Sequence, residues 1–370
     1  MKTRMFRKEK LSLLGFGCMR MPETAPGSID RKKAFEMLDA AYDAGVNYYD
    51  TAYPYHAGDS EVMLGEWLRT KPRESLYVAS KFPVWKASCR EDFFTIFEEQ
   101  RQKLGVETID FYLLHALNAQ REETLLQWDL FSAAEELRAQ GKIRYLGFSF
   151  HDEYPVFERL LERADWDFCQ LQLNYMDTDV QAGIRGYQLA AEKGIPVMVM
   201  EPVKGGSLAN PPQDVQRVFQ ALHPDWSGAS WALRWVASLE NVAVILSGMS
   251  TLQQVEDNLN TFACAEPLTE EEKRAVEQAA AIYRSRVRVP CTGCAYCMPC
   301  PAGVNIPEIF KIYNHASVYD MQQQGKGNYR QLDDKQKAAH CVKCGKCVKA
   351  CPQKIAIPEM MTEINQWANG

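Results

Sequence analysis

LSLLGFG at 11–17, DRKKAFEMLDAAYDAG at 30–45 and VNYYDTA at 46–52 read as a strand, a helix and a second strand in succession. The first and third stretches are short, apolar and rich in branched or aromatic residues, as strands buried on both faces are. Between them apolar residues recur at three- and four-residue intervals, and Gly45 stands where the helix should end. The unit then repeats. LYVASK from 76, IDFYLLHA from 109, IRYLGFSF from 143, FCQLQLNY from 168, IPVMVMEP from 195 and VAVILSG from 242 complete a set of eight strand-like runs, separated by stretches of helical length. Eight such units in about 250 residues predict an α/β fold, a closed (β/α)8 TIM barrel. An open doubly wound sheet is the alternative. Its first turn would carry G-x-G-x-x-G, whereas Gly15 and Gly17 are followed by Cys18, Met19 and Arg20 with no third glycine opening a helix.

With 370 residues, 46% hydrophobic and 24% charged, the chain can bury a large core and has material for a second, smaller unit. The opening MKTRMFRKEK has no apolar stretch, and VAVILSGM from Val242 is far too short to cross a bilayer, so a cytoplasmic protein without membrane association is expected. The net charge is −6 and no basic stripe is interleaved with aromatics, which argues against a nucleic-acid partner. Charge is uneven. Residues 291–370 hold 9 Lys and Arg against 6 Asp and Glu, a net of +3, so the preceding residues carry −9. The break follows a long helix, LTEEEKRAVEQAAAIYRSRVR from Leu268, and predicts two domains, a barrel at 1–289 and a small helical and loop domain at 290–370. Within the latter, MQQQGKGNYRQ reads as a loop.

Of 12 cysteines, Cys18, Cys89, Cys169 and Cys264 are scattered and are expected to be small buried hydrophobes. The other eight fall in two runs. C-T-G-C-A-Y-C-M-P-C-P holds Cys291, Cys294, Cys297 and Cys300, and C-V-K-C-G-K-C-V-K-A-C-P holds Cys341, Cys344, Cys347 and Cys351. The second is the C-x2-C-x2-C-x3-C-P pattern of bacterial ferredoxins, in which three thiolates bind one cluster and the fourth binds the other. The first is shorter by one residue in its last spacing. Two four-cysteine zinc sites are the alternative, but these normally use separated C-x2-C pairs, and disulfides do not suit the expected compartment. Residues 290–358 therefore resemble a two-cluster ferredoxin with two 4Fe-4S clusters. Crossed ligation would give one cluster Cys291, Cys294, Cys297 and Cys351, and the other Cys341, Cys344, Cys347 and Cys300.

In a TIM barrel, functional groups sit at the C-terminal ends of strands and in the loops beyond. Asp50, Lys81, His115, Ser149 and Gln172 fall at or near such ends, and Tyr55 lies five residues past Asp50. Hydride reduction of a carbonyl needs a proton for the developing alkoxide, and a tyrosine with a pKa of about 10 donates poorly alone. A lysine beside it favours the phenolate, a buried aspartate keeps that lysine charged, and a histidine can orient the carbonyl oxygen. Singly, an aspartate before a turn is a cap and a strand-end lysine is solvated. Together they describe a proton-donating site.

NYYDTAYPY, VASK and FYLLHA resemble the Asp, Tyr, Lys and His tetrad of the aldo/keto reductases, and LSLLGFGCMRM and SGMSTLQQVEDNL resemble that family's opening strand and nucleotide-binding segment. The resemblance implies that Asp50, Tyr55, Lys81 and His115 are catalytic, with Tyr55 the general acid. It implies an NADP or NAD cofactor whose carboxamide meets Ser149 and Gln172. Phe150 stands where the family has an asparagine, leaving His151 as a substitute, and Met200 stands where an aromatic ring usually stacks on the nicotinamide. Gly248, Met249, Ser250, Gln254, Asp257 and Asn258 fall in the adenosine-binding segment, which carries no cation to select a 2'-phosphate. The fusion resembles a subgroup of the family with a two-cluster tail. The expected function is hydride transfer between NAD(P)H and a small carbonyl or alcohol, with the clusters exchanging electrons with a partner. Lys343, Lys346 and Lys349 among the second set of cysteines suggest an acidic ferredoxin-like carrier. Structural or regulatory clusters on the same reductase, or a non-enzymatic redox sensor or scaffold, are the alternatives.

Overall fold

A computed structural model describes residues 1–291 and 293–370. The chain forms two compact units. One comprises Met1–Ala209 and Trp226–Lys273, the other Asn210–Asp225 and Arg274–Gly370; along the chain, the division after Lys273 falls within the helix Glu270–Ser285.

In the first unit eight parallel strands close into a barrel: β1 (Leu14–Gly17), β2 (Tyr48–Asp50), β3 (Tyr77–Phe82), β4 (Ile109–Leu117), β5 (Ile143–Phe150), β6 (Phe168–Gln172), β7 (Val197–Met200) and β8 (Val242–Gly248). Each of the eight runs identified from sequence supplies one. Side chains alternate along a strand, so Tyr48, Ala79, Phe111, Leu113, Tyr145, Phe168, Met198, Val244 and Leu246 form one cluster inside the barrel. A hairpin, Thr3–Phe6 paired with Glu9–Ser12, sends Phe6 into that cluster. Its ring meets Phe111, Tyr145 and Phe168 at centroid distances of 5.1, 5.0 and 6.2 Å, filling the N-terminal end of the barrel.

Such filling leaves no room at two positions. A Cβ on Gly15 would lie 2.5 Å from Val244 Cγ1, and one on Gly147 2.7 Å from both the Phe168 ring and its carbonyl oxygen. The same period of two carries Asp50, Lys81, His115, Ser149, Gln170 and Met200 inward at the opposite end. Outside, helices such as Arg31–Asp43 and Glu91–Leu104 bury one apolar stripe each against the strands. Among the described residues no helix is long and apolar enough to cross a membrane.

The second unit has its own core of Val304, Ile306, Ile309, Phe310, Tyr313, Tyr329, Ile355, Ile357, Met361 and Ile364, with six of the clustered cysteines packed against it. Its helices Ile306–Val318 and Ile357–Asn369 both start on Ile-Pro, proline being suited to a first helical turn. The bridge read as a loop is instead the helix Gln322–Arg330. Tertiary contacts override its weak propensity: Trp367 Nε1 donates to Gln322 Oε1 at 2.7 Å, Ala338 N donates to Tyr329 Oη at 2.8 Å, and Gly325 packs on Ala316 where a Cβ would come within 2.5 Å. Of the scattered cysteines, Cys18 and Cys169 are buried as expected. Cys89 is half-buried, and Cys264 is exposed just past the helix Leu252–Ala263.

Candidate functional site

Register brings the polar strand ends together. Gly17 pairs with Asp50, Asp50 with Ala79, Lys81 with Leu113, and Gln170 with Ser149. The barrel opens there into a cavity with about 1470 Å³ of unfilled space, lined by Asp50, Tyr55 and His115 among others. Lys81 is fully buried. Its Nζ donates to Asp50 Oδ1 at 2.6 Å, to the Thr51 carbonyl at 2.8 Å and to Tyr55 Oη at 3.3 Å. The Tyr55 and His115 rings meet edge to face at 6.0 Å.

Burial pulls the Lys81 pKa down, but Asp50 and Tyr55 outweigh it and leave it raised, so the ammonium persists. Burial raises the Asp50 carboxyl and the Tyr55 phenol, and Lys81 opposes both. His115 is driven well below its usual value by burial first and by Lys81 next, and is therefore neutral. Its Nδ1 is buried without a hydrogen-bond partner among the described residues. Behind the lysine, Gln100 Nε2 donates to the Lys81 carbonyl at 3.1 Å and to Glu61 Oε1 at 2.6 Å, while Tyr112 Oη donates to Gln100 Oε1 at 2.6 Å. This buried network fixes the β3 backbone and was not read from sequence.

Of the expected cofactor residues, Ser149, Met200, Gly248, Met249, Ser250, Gln254, Asp257 and Asn258 all line the cavity, as does His151. Phe150 does not; it packs on Phe157 with centroids 5.2 Å apart. Gln172 lies outside the lining, donating to Asp177 Oδ2 and accepting from Gln181 Nε2, both at 3.2 Å. The place beside Ser149 belongs to Gln170, whose Nε2 donates to Met200 Sδ at 3.4 Å and whose Oε1 is buried without a partner among the described residues. Two glutamines of one parity compete here, and only the strand register separates them.

Arg20 was also missed. A Cβ on Gly248 would meet its Cδ at 3.2 Å, and one on Gly205 would meet its Nη2 at 3.3 Å. The loop after β1 thus brings a cation to a segment that has none of its own. The helix Leu252–Ala263 begins at the same wall, with Thr251 as its N-cap and Ser250 N donating to Gln254 Oε1 at 2.8 Å.

In the second unit, Cys291, Cys294, Cys297 and Cys351 line one cavity of about 320 Å³ of unfilled space. Cys300, Cys341, Cys344 and Cys347 line another of about 310 Å³. The walls are otherwise largely apolar, including Phe310 and Ile355 in the first and Val304 and Met361 in the second, with Gln353 and Lys343 the respective polar members. Among the described residues no three His, Cys, Asp or Glu side chains converge as ligands of a single metal ion do. The thiols surround a space instead of a point.

Residues 13–281 match the aldo/keto reductase family, and residues 290–356 match the 4Fe-4S dicluster domain. The chain belongs to the aldo/keto reductase family. It is similar to an aldo-keto reductase of Strobilurus tenacellus, 26% identical over 320 residues that cover 75% of this chain and 91% of the relative. It is also similar to the NADH-specific methylglyoxal reductase of Escherichia coli, 26% identical over 63% of this chain and 83% of that one. Among solved structures, the holo form of an aldo-keto reductase from Bacillus halodurans superposes with a TM-score of 0.64 at 26% identity, covering 75% of this chain and 96% of the other. An aldo-keto reductase from Klebsiella pneumoniae in complex with NADPH shares the fold, with a TM-score of 0.62 at 23% identity and coverage of 75% and 95%. This family member is an oxidoreductase in class.

Proposed function

We propose that the chain is an NAD(P)-dependent carbonyl reductase whose domain at 1–289 performs the reduction and whose domain at 290–370 holds two 4Fe-4S clusters. The observation that carries the first half is the Tyr55 Oη, 3.3 Å from an ammonium that a buried carboxylate holds at 2.6 Å. A reduced nicotinamide bound in the cavity supplies the hydride. Tyr55 gives its phenolic proton to the alkoxide oxygen that forms, and Lys81 stabilises the phenolate left behind. Asp50 keeps Lys81 ionised. Neutral His115 donates a hydrogen bond to the carbonyl oxygen, which polarises and orients it.

The unpartnered Oε1 of Gln170, with Ser149, suits a carboxamide, and His151 stands where Phe150 has turned away. Met200 offers an apolar face to the ring. The amides at the start of Leu252–Ala263 and the Arg20 guanidinium suit phosphates, and Ser250, Gln254, Asp257 and Asn258 lie on the adenosine side. Among the described residues lining the cavity Arg20 is the one Lys or Arg, so either nicotinamide cofactor fits the charge.

Each cysteine cavity takes three thiols from one run and one from the other, which supports the crossed ligand sets. Bound clusters supply one-electron transfer. Lys343, Lys346 and Lys349 then present positive charge beside the thiols to an acidic carrier. A structural role is favoured by one observation, that six of the eight cysteines pack against the core of the second unit. Tyr55→Phe tests the reductase. Carbonyl-dependent NAD(P)H oxidation should fall at least about 100-fold with nicotinamide binding retained, and wild-type turnover in the variant would reject the assignment.

A further inference from the structure

Beside the catalytic groups Arg121 has no acid to answer it among the described residues. Arg121 follows β4 in the first turn of the helix Ala119–Gln127, whose N-cap Asn118 accepts from the Arg121 backbone N–H at 2.8 Å. Its guanidinium lies 4.7 Å from the Trp85 ring centroid, and the Trp85 ring lies 5.2 Å from that of His115, so the guanidinium is within about 10 Å of the imidazole. Arg121 Nη1 donates to the Ala116 carbonyl. The group is half-buried, and among the described residues no carboxylate pairs with it. Neighbouring acids are engaged elsewhere: Glu122 holds Arg159 and Arg163, and Asp152 accepts from the Ala119 backbone.

Two features make an unanswered cation here unfavourable. Burial pulls the Arg121 pKa below its usual value, and the first turn of a helix is the positive end of its dipole. Lys81, fully buried, has Asp50 for the same need. A guanidinium fork matches a carboxylate in two parallel hydrogen bonds, and Trp85, 43% exposed, offers an apolar wall between fork and imidazole.

We propose that Arg121 receives the carboxylate of an anionic carbonyl substrate, one whose acid group is separated from the reacting carbonyl by an aromatic ring or a chain of similar length. The carbonyl end of this statement rests on the reductase reading, but the anion end does not.

The test is therefore equilibrium binding. The full chain, with and without saturating NADP, is titrated calorimetrically with benzoate and with its neutral isostere benzamide. Wild type should bind benzoate about tenfold or more tightly than benzamide, and added salt should narrow the ratio. Arg121→Met keeps an apolar stem against Trp85 and should bring the ratio close to one, while Arg121→Lys should restore part of it. Equal affinities in wild type, or a preference that survives in Arg121→Met, would overturn the proposal. Reduction of 4-carboxybenzaldehyde is followed separately. If benzoate preference is present and depends on Arg121 while no NAD(P)H is oxidised, the carbonyl reading fails and the anion site stands.

Discussion

Lys81→Met removes the ammonium that answers Asp50, and the loss can be bounded in two independent ways. Asp50 is 3% exposed, its Oδ1 accepts from Lys81 Nζ at 2.6 Å, and its Oδ2 has no hydrogen-bond partner among the described residues. Removing one member of a buried ion pair costs about 3–5 kcal/mol. The stranded carboxyl can instead take up a proton, which costs about 1.4 kcal/mol for each pH unit above its unfolded pKa of about 3.9. That sets a ceiling of about 1.5 kcal/mol at pH 5 and about 4 kcal/mol at pH 7, where the two bounds agree. Burial already raises Asp50 in the intact pair, and without Lys81 nothing opposes it. A carboxyl whose folded pKa lies above its unfolded value favours the fold below the unfolded pKa, and that advantage is lost as pH rises toward the folded one. Urea unfolding followed by tryptophan fluorescence should therefore show Lys81→Met penalised mildly at pH 5 and heavily at pH 7. Adding Asp50→Asn should recover most of the pH 7 loss. Equal penalties at both pH values, or no recovery in the double variant, would refute a buried ionic pair at this site.

Three further outcomes follow from the same geometry. Gln170→Ala should raise the Kd for NAD(P)H several-fold in a fluorescence titration, whereas Gln172→Ala should leave it nearly unchanged. Anaerobic preparations should hold about eight iron and eight acid-labile sulfide per chain, and Cys300→Ser and Cys351→Ser should each lose about half, with different electron-spin signals remaining because they face different cavities. Replacing Lys343, Lys346 and Lys349 together with Gln should slow cluster reduction by an acidic ferredoxin at low ionic strength, with the difference vanishing in high salt; equal rates across the salt series would count against docking.

How far the site was legible depended on whether its signal was local. Lys81 ends one run and His115 stands near the end of another, and a strand end in a barrel of this type points to one face whatever the loops do. Gln170 and Gln172 show where this stops. Both follow the same inward parity, so periodicity cannot choose, and the choice is made by the pairing of Gln170 with Ser149 on β5. Arg20 is a similar case. Nothing near Gly248 in sequence announces it, because it arrives from the loop after β1 and occupies the space that a side chain on Gly248 would need. The helix Gln322–Arg330 was illegible for a different reason, since its stability comes from Trp367 and Ala338, dozens of residues or a turn away, and not from its own composition.

The cysteine cavities carry the same argument one step further. CPAGVNIPEIF from Cys300 and CPQKIAIPEMM from Cys351 are copies of one pattern, a cysteine and proline followed by an alternating apolar pair and an Ile-Pro-Glu helix start. Each copy sends its apolar pair, Val304 and Ile306 or Ile355 and Ile357, to the wall beside its own leading cysteine. That cysteine therefore leaves the run it belongs to and faces the three thiols of the other. The shortened spacing before Cys300 does not disturb this, because the position of Cys300 is set by the repeat that follows it and not by the count of residues before it.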